Sequence, residues 1–79
     1  MEQDKILNIL QNIFRDIFDQ EDLVINEDTS ASDIEQWDSL KHISILEAVQ
    51  EEWSIHFTLR ETIDIKTAGD MARAISAKI

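Results

Sequence analysis

The chain has no cysteine, no proline and one glycine, Gly69, among 79 residues. Without cysteine there is no disulfide and no thiolate metal site, so any thiol chemistry must be brought in by a cofactor. Without proline and with a single glycine, the usual punctuation of turns is missing, and element boundaries must be read from periodicity and capping signals. Basic residues are scarce, with 7 Lys and Arg against 17 Asp and Glu and a net charge of -10. Nucleic-acid binding depends on Lys and Arg neutralising phosphates, so no nucleic-acid partner is expected. The balance suits a partner for basic protein surfaces instead. No apolar stretch approaches the ~20 residues that span a bilayer. No basic region followed by an apolar run opens the chain, so no secretory signal is read and the expected location is cytoplasmic. A chain of this length is expected to be one domain, residues 1–79, and a monomer with a modest core.

The apolar residues recur with a helical period. Ile6, Leu7, Leu10, Ile13, Phe14 and Ile17 define one face of a helix from about Gln3 to Phe18. Residues 19–38 lack a sustained period and hold eight acids with no base. Leu23, Val24, Ile25 and Ile34 are read as the anchors of this long loop, and Ser30 with Asp33 as the start of one short helical turn. Such a run is a solvated face or an electrostatic docking surface. From Ser39 the period returns. Leu40, Ile43, Leu46, Val49 and Trp53 are read as the inner stripe, with Ile45 and Ala48 beside it and Lys41, Glu47, Glu51 and Glu52 outside. Ile55 and Phe57 alternate with His56 in a short extended connection. Thr58 with Glu61 and Thr67 with Asp70 are capping-box pairs, marking a short helix and a last one. The last takes its apolar face from Ala68, Met71, Ala72, Ile75 and Ile79. The expected fold is all-α, with three principal helices, one short one and no strand ladder.

Chemistry concentrates in Trp37-Asp38-Ser39-Leu40 at the entrance of the second helix. Asp38 is the expected cap, accepting from amides of the first turn, and Ser39 takes the first helical position with its hydroxyl outward. A phosphate is well tolerated there, because a helix start presents unpaired N–H groups and a positive dipole end. Capping alone also accounts for an Asp-Ser pair at this place. His42 stands three residues from Ser39 on the same helix. A serine hydrolase further needs an orienting acid and oxyanion donors in a pocket, which a small bundle's surface does not offer. His56 is read as a surface histidine. Trp37 and Trp53 are read as packing residues, Trp37 alternatively as a shield over the Ser39 site. The acids at 19–28 have neither the spacing nor the glycine of a calcium loop, so no metal site is expected.

The order of helix, long acidic loop, Asp-Ser-Leu, amphipathic helix, short helix and final helix resembles the acyl carrier protein family. Trp37-Asp38-Ser39-Leu40 is similar to that family's attachment motif. Glu51-Glu52-Trp53-Ser54-Ile55 is similar to its helix ending, and Thr67-Ala68-Gly69-Asp70-Met71 to the start of its last helix. The resemblance covers nearly the whole chain. It implies an up-and-down four-helix bundle with a short third helix, and a carrier, not an enzyme. It also implies phosphopantetheine joined to Ser39 by a phosphopantetheinyl transferase, with Asp38, Trp37 and Leu40 around the attachment. Acyl intermediates would then ride as thioesters on the arm of a free-standing carrier. The implied partners are acyl-loading, elongating and acyl-transfer enzymes with basic docking patches, met by Lys41, Glu47, Glu51 and Glu52. Lys41 and His42 after Leu40, Ser44 where an acid is common, Glu47 where an apolar residue is frequent, and Ser54 for glycine depart from fatty acid carriers. They point to a specialised fatty acid, polyketide or lipid pathway. The rivals are a peptidyl or aminoacyl carrier, and a non-carrier helical interaction domain.

Overall fold

The computed structural model describes residues 3–79. Four helices follow in order: α1, Gln3–Phe18; α2, Ser39–Trp53; α3, Leu59–Asp64; and α4, Ala68–Ser76. α1 lies against both α2 and α4. The architecture is therefore the expected all-α bundle with a short third helix.

Each helix has local reasons to start and stop. α1 carries Asp4 in its first turn and Arg15 in its last, in keeping with the dipole. It ends at Asp19, which adopts a left-handed conformation (φ 54°), while the Gln20 amide donates to the Arg15 carbonyl at 3.0 Å. α2 ends the same way on Ser54 (φ 55°, ψ 47°), with the Ile55 amide returning to the Gln50 carbonyl. Glycine is the usual residue at such a stop. Gln50 reinforces it, because its side-chain carbonyl accepts from the Phe57 amide at 2.8 Å. α3 and α4 both begin with complete reciprocal capping boxes, Thr58 with Glu61 and Thr67 with Asp70.

Ile6, Leu10, Phe14 and Phe18 of α1 meet Ile45, Leu46 and Val49 of α2 and Met71, Ala72 and Ile75 of α4 in one core. α3 contributes no fully buried residue. The long loop is sewn onto this frame by polar groups of α1 and α4. Gln11 accepts from the Ile25 amide, and Arg15 donates to the Leu23 carbonyl at 2.7 Å. The amides of Ala68 and Gly69, at the start of α4, donate to the Thr29 and Glu27 carbonyls at 2.8 and 3.0 Å.

Four details differ from the sequence reading. The buried face of α2 comprises Ile45, Leu46 and Val49, whereas Leu40 and Ile43 are 76% and 52% exposed. With about 100° between successive residues, the face that places Ile45 and Val49 inward turns Leu40 and Ile43 away. Lys41 is half-buried rather than outside, because its ammonium donates to the Ile17 carbonyl at the end of α1. Residues 31–33 form a turn closed by the Asp33 amide on the Ser30 carbonyl, not a helix, and Ser30 makes an isolated antiparallel bridge to Thr67. Val24 and Ile79 are exposed, so Val24 is no anchor and α4 buries nothing beyond Ile75.

Candidate functional site

Asp38 has extended backbone angles (φ -106°, ψ -173°), and its carboxylate accepts from the Lys41 amide at 2.9 Å. Its carbonyl accepts from the His42 amide, the first bond of the helix. Ser39 therefore stands at the first position of α2 and is exposed. The Ser39 and Leu40 amides have no acceptor within the helix, as at any helix start. An anion held on the Ser39 oxygen would face those amides and the positive end of the α2 dipole.

Beside Ser39 lies an open cleft of about 530 Å³. Its walls come from the long loop (Ala31, Trp37, Asp38), the first turns of α2 (Ser39, His42, Ile43) and the connection between α3 and α4 (Ile65, Lys66). Trp37 is only 6% exposed. Its ring meets Phe14 edge-on at 5.2 Å between centroids and lies 6.5 Å from Phe18. On its other side it stacks against His42, at 5.9 Å and 22° between planes.

The Trp37 indole N–H donates to His42 Nδ1 at 3.1 Å. An indole nitrogen only donates, so Nδ1 is the unprotonated nitrogen and the imidazole is neutral. Burial pushes the His42 pKa down, and the Thr62 backbone carbonyl opposes that shift more weakly. His42 is thus engaged by Trp37 on one nitrogen and turned toward α3 by Thr62. Its Nδ1 lone pair is not free to take a proton from Ser39, which removes the hydrolase reading's base. Sequence reasoning missed this pair. The two residues lie on either side of a helix start, and nothing in their spacing signals that a tryptophan will bond a histidine five positions on.

The remaining site residues fall on separate surfaces. Leu40 is exposed, with Ile43 one turn along, and Leu59 and Ile63 of α3 are 78% and 62% exposed. Glu47 borders a groove of about 370 Å³ between α2 and α3, with Ile43, Leu46 and Leu59. Glu51 and Glu52 border a different groove, about 470 Å³, between α1 and α2, with Ile13, Asp16 and Ile17. Lys41 joins neither group, since α1 holds its ammonium. Among the described residues, no acid of the 19–38 loop forms an ion pair, no set of three His, Asp or Glu is placed to hold a metal ion, and no helix is long and apolar enough to cross a membrane.

The solution structure of a holo acyl carrier protein from Geobacter metallireducens superposes on this fold with a TM-score of 0.87. It is 37% identical, over 92% of this chain and 84% of that one. This chain belongs to the acyl carrier protein family. It is a carrier protein and not an enzyme. No protein-family model matches the sequence, and no curated protein sequence does so. The carrier reading therefore rests on the bundle, on the similarity across its length, and on the exposed serine at the start of α2.

Proposed function

We propose that residues 1–79 act as one carrier domain that holds acyl intermediates as thioesters on phosphopantetheine attached to Ser39. The carrying observation is the exposed Ser39 at the first position of α2, behind the Asp38 cap and at the edge of a largely apolar cleft. The residues present fit such a group. The hydroxyl is accessible to a transferase, and the start of α2 favours the phosphodiester charge. The cleft gives the arm a wall to lie along. Bound there, the arm supplies the terminal thiol that this cysteine-free chain lacks.

The chain's own residues orient this chemistry and do not catalyse it. Asp38 fixes the first turn and hence the direction of the Ser39 side chain. Trp37 and His42 hold the cleft's inner wall. Partner enzymes recognise the outside of α2. Leu40 and Ile43 present an apolar centre, and exposed apolar patches of this kind mark contact surfaces. Glu47 on the same side and Glu51 and Glu52 beyond it steer basic docking patches by charge. Lys41 and Ser44 make the first turns less acidic, which supports a specialised fatty acid, polyketide or lipid pathway in the cytoplasm, with the carrier acting as a monomer.

The test is a mass measurement. Protein incubated with coenzyme A, magnesium and a broad-specificity phosphopantetheinyl transferase gains one phosphopantetheine, and Ser39→Ala gains none. No gain in the wild type identifies a non-carrier helical domain. A gain that survives Ser39→Ala places the attachment elsewhere. Screening the holo protein against acyl- and aminoacyl-loading enzymes separates an acyl carrier from a peptidyl carrier.

A further inference from the structure

The wall between the Ser39 cleft and the core is formed by two rings locked to each other. Trp37 lies between the cleft, which it lines, and Phe14 and Phe18 of α1, which it touches edge-on and obliquely. His42, one turn into α2, lines the same cleft and stacks on the indole. The bond from the indole N–H to Nδ1 satisfies the one polar atom of the tryptophan within this stack. Both rings are therefore held by more than shape. A chain that grew from Ser39 toward the core would have to strip the indole of its acceptor and of its Phe14 contact together. A buried donor left unpaired carries the full desolvation cost, which makes this a barrier and not a soft wall. Beyond the pair stand Phe14, Ile45 and Val49, all fully buried.

Resting on the reading that Ser39 carries the arm, we infer that the Trp37–His42 pair is a stop that keeps the cargo out of the helical core, so that this carrier is built for short acyl groups. A group of a few carbons fits in the cleft outside the stop. A long alkyl chain remains on the surface, exposed to water. Trp37 and His42 are thus specificity-determining residues that act by exclusion.

The experiment loads the full chain with acyl-phosphopantetheine of two to fourteen carbons, using a promiscuous transferase and acyl-coenzyme A donors. Intact mass, with Ser39→Ala as the control that gains nothing, first establishes that each form carries its arm on Ser39. Failure at this stage overturns the attachment reading, and only loaded protein enters the second stage. There, thermal unfolding and the Trp37 indole N–H resonance are compared along the series. In the wild type, the melting temperature of the tetradecanoyl form stays within ~2 °C of the holo form, at most about half of the ~4–8 °C that 1 kcal/mol produces in a domain this size. The Trp37 resonance stays where the acetyl form has it. Trp37→Ala opens the wall, and its melting temperature rises with chain length. Trp37→Leu serves the same purpose if the alanine variant does not fold. A stepwise rise in the wild type, or a chain-length-dependent displacement of its Trp37 resonance, overturns the stop, because the chain has then passed it. An absent length dependence in every folded Trp37 variant overturns it too, since the exclusion then lies elsewhere.

Discussion

Replacing Gly69 by alanine sets two effects of opposite sign against each other, and the structure decides which wins. In a generic helix the change stabilises by about 0.8–1 kcal/mol, because glycine loses more backbone entropy on folding. Gly69 has no positive φ, so alanine meets no dihedral strain. The obstacle is a neighbour. A Cβ at position 69 would stand 2.6 Å from the Glu27 carbonyl oxygen and 3.0 and 3.1 Å from Glu27 Cβ and Cα. Two of these are backbone atoms, so no flexible side-chain tip can swing aside. The loop has to retreat, and that loosens the bonds from the Gly69 and Ala68 amides to the Glu27 and Thr29 carbonyls. Overpacking of this kind costs about 1–3 kcal/mol. Two weakened hydrogen bonds cost up to about 1 kcal/mol each. Setting the helix gain against these leaves a net loss of about 2 kcal/mol at the middle of the ranges. For a domain of this size that lowers the melting temperature by roughly 8–16 °C. Far-UV circular dichroism on heating measures it. Hydrogen exchange adds a local readout, because the amides of residues 68 and 69 lose protection before those of the α1 core. A Gly69→Ala melting point at or above wild type would show instead that the loop yields freely and that helix propensity governs.

Lys41→Glu should destabilise by about 1–2 kcal/mol, since it removes a charge-assisted bond to the Ile17 carbonyl and sets an anion at the negative end of the α1 dipole. Lys41→Met should lose less, and equal melting points for wild type and Lys41→Glu would show that the clip contributes nothing. The Glu61 and Asp70 carboxyls both lie below their usual pKa. For Glu61 the Thr58 amide is the first cause, with Lys78 adding to it. For Asp70 the Lys66 amide leads, with Arg73 adding to it. A depressed folded-state pKa gives stability that is present above the unfolded value and lost as pH falls through the folded one. Thermal melts on descending pH should therefore fall below about pH 4, where the capping boxes of α3 and α4 protonate. Thr67→Ala, which already lacks half of one box, should show a shallower acid decline, and a steeper one would contradict this assignment.

Much of the fold was legible because its signals are local. The α1 face repeats at three and four residues, and the starts of α3 and α4 are written in Thr58-Glu61 and Thr67-Asp70. α2 was legible in extent but not in orientation. It carries apolar residues at 40, 43, 45, 46, 48, 49 and 53, so several stripes fit the pattern, and only packing against α1 selects Ile45 and Val49. The loop's anchors were hidden for a different reason. Arg15 acts eight positions away, Gln11 fourteen and Gly69 forty-two, all on backbone groups that have no residue-type signature. At the site, Asp38 and Ser39 followed from capping logic, whereas the Trp37–His42 bond depends on ring orientation that no spacing encodes.

The rotation of α2 changes what its charges do. Had Leu40 and Ile43 pointed inward, the outer face of the helix would have been polar, and recognition by partners would have rested on exposed charge pairs worth only ~0.2–1 kcal/mol each. With both residues outward, and Leu59 and Ile63 exposed on α3, the outer surfaces of α2 and α3 have large apolar side chains of the kind that carry binding energy once water is excluded. Four such residues in water are a cost to a domain with a modest core, one that a covering partner would offset. The acids then divide the remaining work by position. Glu47 borders the α2–α3 groove, so a partner covering Leu40 and Ile43 meets it directly. Glu51 and Glu52 flank the α1–α2 groove, so the same partner senses them mainly as a field that sets approach and register. Neutralising Glu51 and Glu52 is therefore expected to lower the association rate with a loading enzyme more at low than at moderate salt, and Ile43→Ala to raise the dissociation rate, both read from binding kinetics of the holo protein; unchanged rates would remove these residues from the docking surface.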